Sequence, residues 1–115
     1  MDIERFENGP RFCRVLSHNG TVYIAGIVAD DLTGDTTQQT AEILKKIDAY
    51  LAQARSHKSK LLSAQIWLRD IADFERMNKA WDAWIDKNAM PVRATVEARL
   101  AGDGYRVEIM VTAAA

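Results

Sequence analysis

The segment Leu61-Leu62-Ser63-Ala64-Gln65-Ile66-Trp67-Leu68 carries apolar side chains on both parities. Alternate residues of a strand point to opposite faces, so a segment of this kind needs cover on both sides. That requirement puts 61–68 in the middle of a sheet and asks the remainder of the chain to supply two covers. The chain has 115 residues, enough for one domain spanning 1–115.

One cover comes from two amphipathic helices. Asp35 with Gln38 three residues later has the form of a capping box and opens a helix over 36–54. Its apolar positions Ala41, Leu44, Ile47, Leu51 and Ala54 recur at spacings of three and four, with Lys45, Lys46 and Asp48 facing away. Asp70 and Asp73 offer N-caps for a second helix over 74–88, with Phe74, Met77, Trp81, Trp84 and Ile85 as its stripe. Both tryptophans read as packing residues.

The remaining segments alternate like strands. Residues 12–17 and 21–28 flank Asn19-Gly20, a strong hairpin signal. Gly26 inside the second of these predicts a bulge or a close backbone approach. Pro91 stops the second helix, and 92–100 alternates, with Val92, Ala94, Val96, Ala98 and Leu100 as the expected buried set. After a turn at 101–104, residues 105–112 form the last strand with Val107, Ile109 and Val111 inward. Residues 1–10 are polar and end in the turn Asn8-Gly9-Pro10. The order β-β-α-β-α-β-β predicts an α+β domain with two helices on one face of a mixed sheet. The other face would carry Tyr23, Ala25, one parity of 61–68, Thr95, Glu97, Glu108 and Met110. That set is too apolar for open water yet holds charges, as a subunit interface with sites built into it would.

Charge and composition exclude several functions. The net charge is −1, with basic residues scattered among acids, so the electrostatic footprint of nucleic-acid binding is missing. The lone Cys13 leaves no internal disulfide. The N-terminus has no apolar core, and no apolar run approaches the ~20 residues of a membrane span, so a cytoplasmic location is expected. His18 and His57 have no Cys or carboxylate at ligand spacing, which argues against a metal site. The glycines form no phosphate-binding fingerprint.

Two charged residues stand out. Arg93 sits at the mouth of a strand, two residues after Pro91, where stiff backbone could make it an anion clamp. Glu108 shares its strand face with Arg106 and Met110, and a carboxylate on a covered face needs a cation or a bound water. Arg93 is one such cation.

With these residues named, the chain resembles the RidA/YjgF family of reactive-intermediate deaminases nearly end to end. Gly9-Pro10 is similar to its Gly-Pro before the first strand, and Val22-Tyr23-Ile24-Ala25-Gly26 to its hydrophobic-Ser-Gly strand end. Gln39-Thr40 is similar to the opening of helix one, and the segment from Leu68 through Asp70, Asp73 and Phe74 to Asn78 to the family's motif leading into helix two. Pro91-Val92-Arg93-Ala94-Thr95-Val96-Glu97 is similar to the Pro-x-Arg signature, and Arg106-Val107-Glu108-Ile109 to the terminal strand. The resemblance implies a chorismate-mutase-like subunit, a homotrimer with clefts at its interfaces, and no cofactor. It implies hydrolysis of 2-imino acids or their enamines to 2-oxo acids and ammonia. Arg93 would hold the substrate carboxylate and Glu108 the water, with Asn78 and Gly26 lining the pocket. Three positions depart from the family: Arg11 and Phe12 stand in the region of its tyrosine, Ala25 replaces its serine, and Thr95 its cysteine. The pocket is thus expected to lack two hydroxyls and to hold an additional cation, Arg11. Binding of a carboxylate metabolite without turnover is the second expectation. The family's older name, translation-inhibiting endoribonuclease, gives a third, which the charge opposes.

Overall fold

A computed structural model describes residues 2–115. Six strands form one sheet in the order β1-β2-β3-β6-β4-β5: β1 Glu4–Asn8, β2 Cys13–His18, β3 Thr21–Ile27, β4 Leu61–Leu68, β5 Val92–Glu97 and β6 Val107–Ala114. Two helices, α1 Thr36–Gln53 and α2 Phe74–Trp84, pack side by side on one face. Only the β4–β5 pair is parallel, joined through α2; every other pair is antiparallel. The molecule is 20 Å through its thinnest axis, room for one sheet and one helical layer. The expected α+β architecture is therefore present, and the second face of the sheet is bare in the single chain.

Local chemistry explains most boundaries. Asp35 accepts from the Gln38 amide, and the Gln38 side chain accepts from the Asp35 amide, each at 2.9 Å. Asn19 and Gly20 both have positive φ, 52° and 79°, as a two-residue turn matched to strand twist requires. The α2 helix stops at Trp84, short of the expected Asn88, because Asp86 folds back to take the Asn88 amide at 2.9 Å. Asp70 caps a short 3₁₀ turn before α2, accepting from the Ala72 amide at 2.9 Å. Asp73 sits at the head of α2 but does not cap it; its carboxylate takes the Thr36 hydroxyl at 2.6 Å and Arg76 at 2.8 Å.

The core lies between the helices and the inward parity of the sheet: Val15, Val22 and Ile24, Ile43, Leu44, Ile47 and Leu51, Ile66 and Leu68, Met77, Ile109 and Val111. Ala41 lies on the exposed side of α1, and Gln39, Thr40 and Ile43 take the inward positions instead. Gln39 is 1% exposed, and both ends of its amide are satisfied: Nε2 donates to Gly104 O and Oε1 accepts from Arg106 N, each at 3.0 Å.

Two expectations are corrected. Residues 4–8 form an edge strand against β2, which their polar sequence does not announce. The parity of β5 is the reverse of the one expected. Val92 and Val96 are 73% and 45% exposed, whereas Arg93 and Thr95 turn toward the helical layer. The register fixes this: Arg93 pairs with Ala64 and Thr95 with Ile66, both inward residues of β4. The arginine stem and the threonine methyl are apolar enough to serve there.

Candidate functional site

The sequence candidates separate into two groups on one chain. The first surrounds Arg93. Its guanidinium carbon lies 5.1 Å from the Trp81 ring centroid and 5.7 Å from that of Phe74, and Nη1 is 4.0 Å from Met77 Sδ. Among the described residues no carboxylate pairs with it at ion-pair distance. Burial pushes the guanidinium below its ordinary value, opposed by the fields of Asp82 and Glu75. A cleft of about 340 Å³ opens here, lined by Glu75, Asn78, Trp81, Asp82, Met90, Pro91 and Arg93. Asn78 and Arg93 are thus brought together, and Asn78 also donates to Glu75 at 3.4 Å. Thr95, two residues along β5, has a buried hydroxyl with no hydrogen-bond partner among the described residues.

The second group surrounds Glu108. Between Ile24 and Ile27 the β3–β6 register slips, so that Ala25 and Gly26 oppose the single residue Met110. The bulge keeps both Ile24 and Ile27 in the core and lays the Gly26 backbone against the Glu108 carboxylate. A Cβ added at Gly26 would collide with Glu108 Oε2, which is why this position carries none. Glu108 is half-buried, and burial raises its carboxyl above the ordinary glutamate value. It lines a cleft of about 430 Å³ with Phe12, Arg14, Gly26, Lys46, Tyr50 and Tyr105 among the other walls. The rim is fixed from α1: Lys46 donates to Val28 O at 2.8 Å and meets Asp30 at 3.0 Å, while Glu42 accepts from the Asp31 amide at 3.2 Å.

Arg93 and Glu108 do not meet within the chain. Arg93 pairs with Ala64 and Glu108 with Trp67, so β4 lies between them and they sit at different levels along it. They also project from opposite faces of the sheet. Arg11 is exposed and lines neither cleft; the cations that line the Glu108 cleft are Lys46 and Arg14, the latter with its guanidinium 5.6 Å from the Phe12 ring. Ala25 is half-buried in the bulge and lines neither cleft. Arg14, Lys46, Tyr50 and Tyr105 escaped sequence reasoning. For Arg14 the parity shared with Phe12 was the available signal; the others depend on how α1 and the 101–105 turn meet the bulge.

The outer face of the sheet carries Tyr23, Leu62, Val92, Val96 and Met110, all exposed. A shallow groove of about 360 Å³ crosses it between β6, β4 and β5, lined by Ser63, Gln65, Ala94 and Met110 among others, and reaches Arg93. Among the described residues no helix is long and apolar enough to cross a membrane.

This arrangement has close counterparts among known proteins. The family model described as Endoribonuclease L-PSP matches residues 3–115. The RutC family protein YoaB of Escherichia coli is 46% identical over 114 residues, covering 99% of each chain. A RutC family protein of Haemophilus ducreyi is 45% identical over 112 residues, covering 97% of this chain and 96% of that one. The crystal structure of a YjgF family member from Neisseria meningitidis superimposes with a TM-score of 0.96 at 42% identity, covering 99% of this chain and 95% of that one. Sequence and fold agree over nearly the whole chain, and the chain belongs to the YjgF/RutC (Endoribonuclease L-PSP) family.

Proposed function

We propose that this protein hydrolyses reactive 2-imino acids and their enamines to 2-oxo acids and ammonia, in clefts between the subunits of a homotrimer. The observation that carries the reading is that each chain holds two incomplete half-sites. One has an arginine with no carboxylate partner among the described residues, the other a glutamate pushed toward its neutral form, and they lie on opposite faces of the sheet. A head-to-tail ring sets the arginine half of one subunit against the glutamate half of the next and covers the bare sheet face.

The chemistry needs only positioning. Arg93 takes the substrate carboxylate through two parallel N–H···O bonds, with Asn78 at the cleft wall. Water held by Glu108 adds to the C=N carbon as its proton passes to the carboxylate. Starting from the protonated imine, this gives a neutral carbinolamine; Glu108 returns the proton to nitrogen, and the C–N bond breaks as the hydroxyl gives its own proton to the Glu108 carboxylate, releasing ammonia and the 2-oxo acid. A raised Glu108 is matched to both steps, since burial makes it a better proton acceptor than an ordinary glutamate and it can return the proton it takes. Imines hydrolyse unaided, so orientation in the cleft supplies the acceleration.

The test is ammonia release from imines made in situ by an amino-acid oxidase. Wild-type protein accelerates it, and Arg93→Ala loses the acceleration by about 100-fold or more while keeping its assembly. Equal rates with and without wild-type protein would end the deaminase reading. A second reading, carboxylate binding without turnover, draws on Glu108 having no hydrogen-bond donor to orient it among the described residues of one chain. It predicts thermal stabilisation by 2-oxo acids with no ammonia release.

A further inference from the structure

We infer that Trp81, with Phe74 beside it, is a positioning residue for the Arg93 clamp, holding the guanidinium through the ring contact so that the N–H donors other than the Nη1–H given to Met77 Sδ stay free for a ligand. The inference rests on the cleft reading above.

A partly buried guanidinium has to be held by something. A carboxylate would cancel the charge and occupy the N–H fork; backbone carbonyls would occupy the fork as well. Here the neighbours are two aromatic rings, at 5.1 and 5.7 Å from the guanidinium carbon, and a thioether. An aromatic face attracts the delocalised charge as a whole through its quadrupole rather than pairing with individual N–H groups. A carboxylate ligand arrives within the guanidinium plane, where the paired N–H groups point. Ring and ligand therefore do not compete. Asp82 and Glu75 favour the charged arginine from the cleft wall, without pairing with it.

The geometry comes from one helix. Phe74, Met77 and Trp81 fall at i, i+3 and i+7 along α2, a single stripe. Met77 and Trp81 are also core residues, 0% and 6% exposed. The clamp is thus referred to a packed helix rather than to a loop. Trp81 sits against Trp84 as well, centroids 5.8 Å apart, which limits its rotation.

The experiment has a readout that needs no ligand. The Arg93 Nε–H NMR signal, assigned by its loss in Arg93→Lys, is expected upfield of ordinary arginines through the Trp81 ring current. It moves back in Trp81→Leu and stays upfield in Trp81→Phe. Pyruvate is then titrated as the anion probe. Trp81→Leu weakens pyruvate binding about tenfold, equivalent to ~1.4 kcal/mol, whereas Trp81→Phe holds it within about twofold. Phe74→Leu, at an exposed position with little folding cost, weakens it in the same direction and carries the test where Trp81→Leu does not fold. Fluorinated tryptophan, which depletes the ring face without changing its bulk, lowers affinity further with each added fluorine. An ordinary Nε–H position, or leucine variants that bind pyruvate like the wild type, overturns the inference. Failure of the wild type itself to bind pyruvate defeats the clamp and the positioning role with it; an upfield signal in that case marks the aromatic contact as structural only.

Discussion

At the scale of the residue, Glu108 and Gly26 form one unit. The carboxylate fits because the position beside it has no side chain. In Gly26→Ala the intruding methyl meets the far end of a flexible side chain, so folding loses no more than ~1 kcal/mol while Glu108 is displaced. Denaturant midpoints close to wild type, with imine hydrolysis lost and pyruvate binding at Arg93 retained, are the expected result. Burial of Glu108 also gives a pH signature. Its folded-state value lies above the unfolded one, so its contribution is fully present below the unfolded value and is lost as pH rises through the folded one. Glu108→Gln therefore matches the parent in acid and exceeds it in stability at neutral pH. Unfolding curves in an Arg93→Ala background, where a neighbour's guanidinium cannot offset the burial, check the sign.

At the scale of the element, the helices joined through Asp73 are the sharpest case. Asp73 accepts from Thr36 at the start of α1 and from Arg76 in α2, and its carboxyl is held below the ordinary value, first by the Thr36 hydroxyl. Asp73→Asn is expected to cost about 1–2 kcal/mol at neutral pH. The difference shrinks as pH falls through the depressed value, where the wild-type carboxyl itself becomes protonated. Elements whose signals are local were legible in the sequence: the Asp35–Gln38 box, the Asn19-Gly20 hairpin and the bulge at Gly26. The parity of β5 was not, because Val92, Ala94 and Val96 alternate with Arg93 and Thr95, and either set can face a core. Edge strand β1 is recognisable only from its pairing with β2. Glu108 and Arg93 were both named from sequence, but their separation depends on β6 inserting between β3 and β4, a long-range choice that no local pattern encodes.

At the scale of the whole molecule, the 20 Å slab leaves Val92, Val96, Met110 and Tyr23 in water on one side. A monomer rarely keeps such a face bare. Val96→Asp places a charge there without touching the core, so it should release folded monomers, seen by light scattering, with helical content unchanged. On the proposed ring, imine hydrolysis is expected to fall with the assembly, because the Arg93 and Glu108 half-sites of a single chain do not meet.

The placement of Arg93 and Glu108 on opposite faces also has a consequence for inheritance. Each cleft of the proposed ring draws one half from each of two gene products. Two defective alleles, one lacking the arginine and the other the glutamate, then complement one another in a mixed ring, restoring about a quarter of the clefts at equal dosage. A subunit lacking both spoils each of the two clefts it helps to form, so at equal dosage with wild type only about a quarter of the clefts stay intact. Loss of the whole gene product is in that respect milder for the cell than its presence in doubly damaged form.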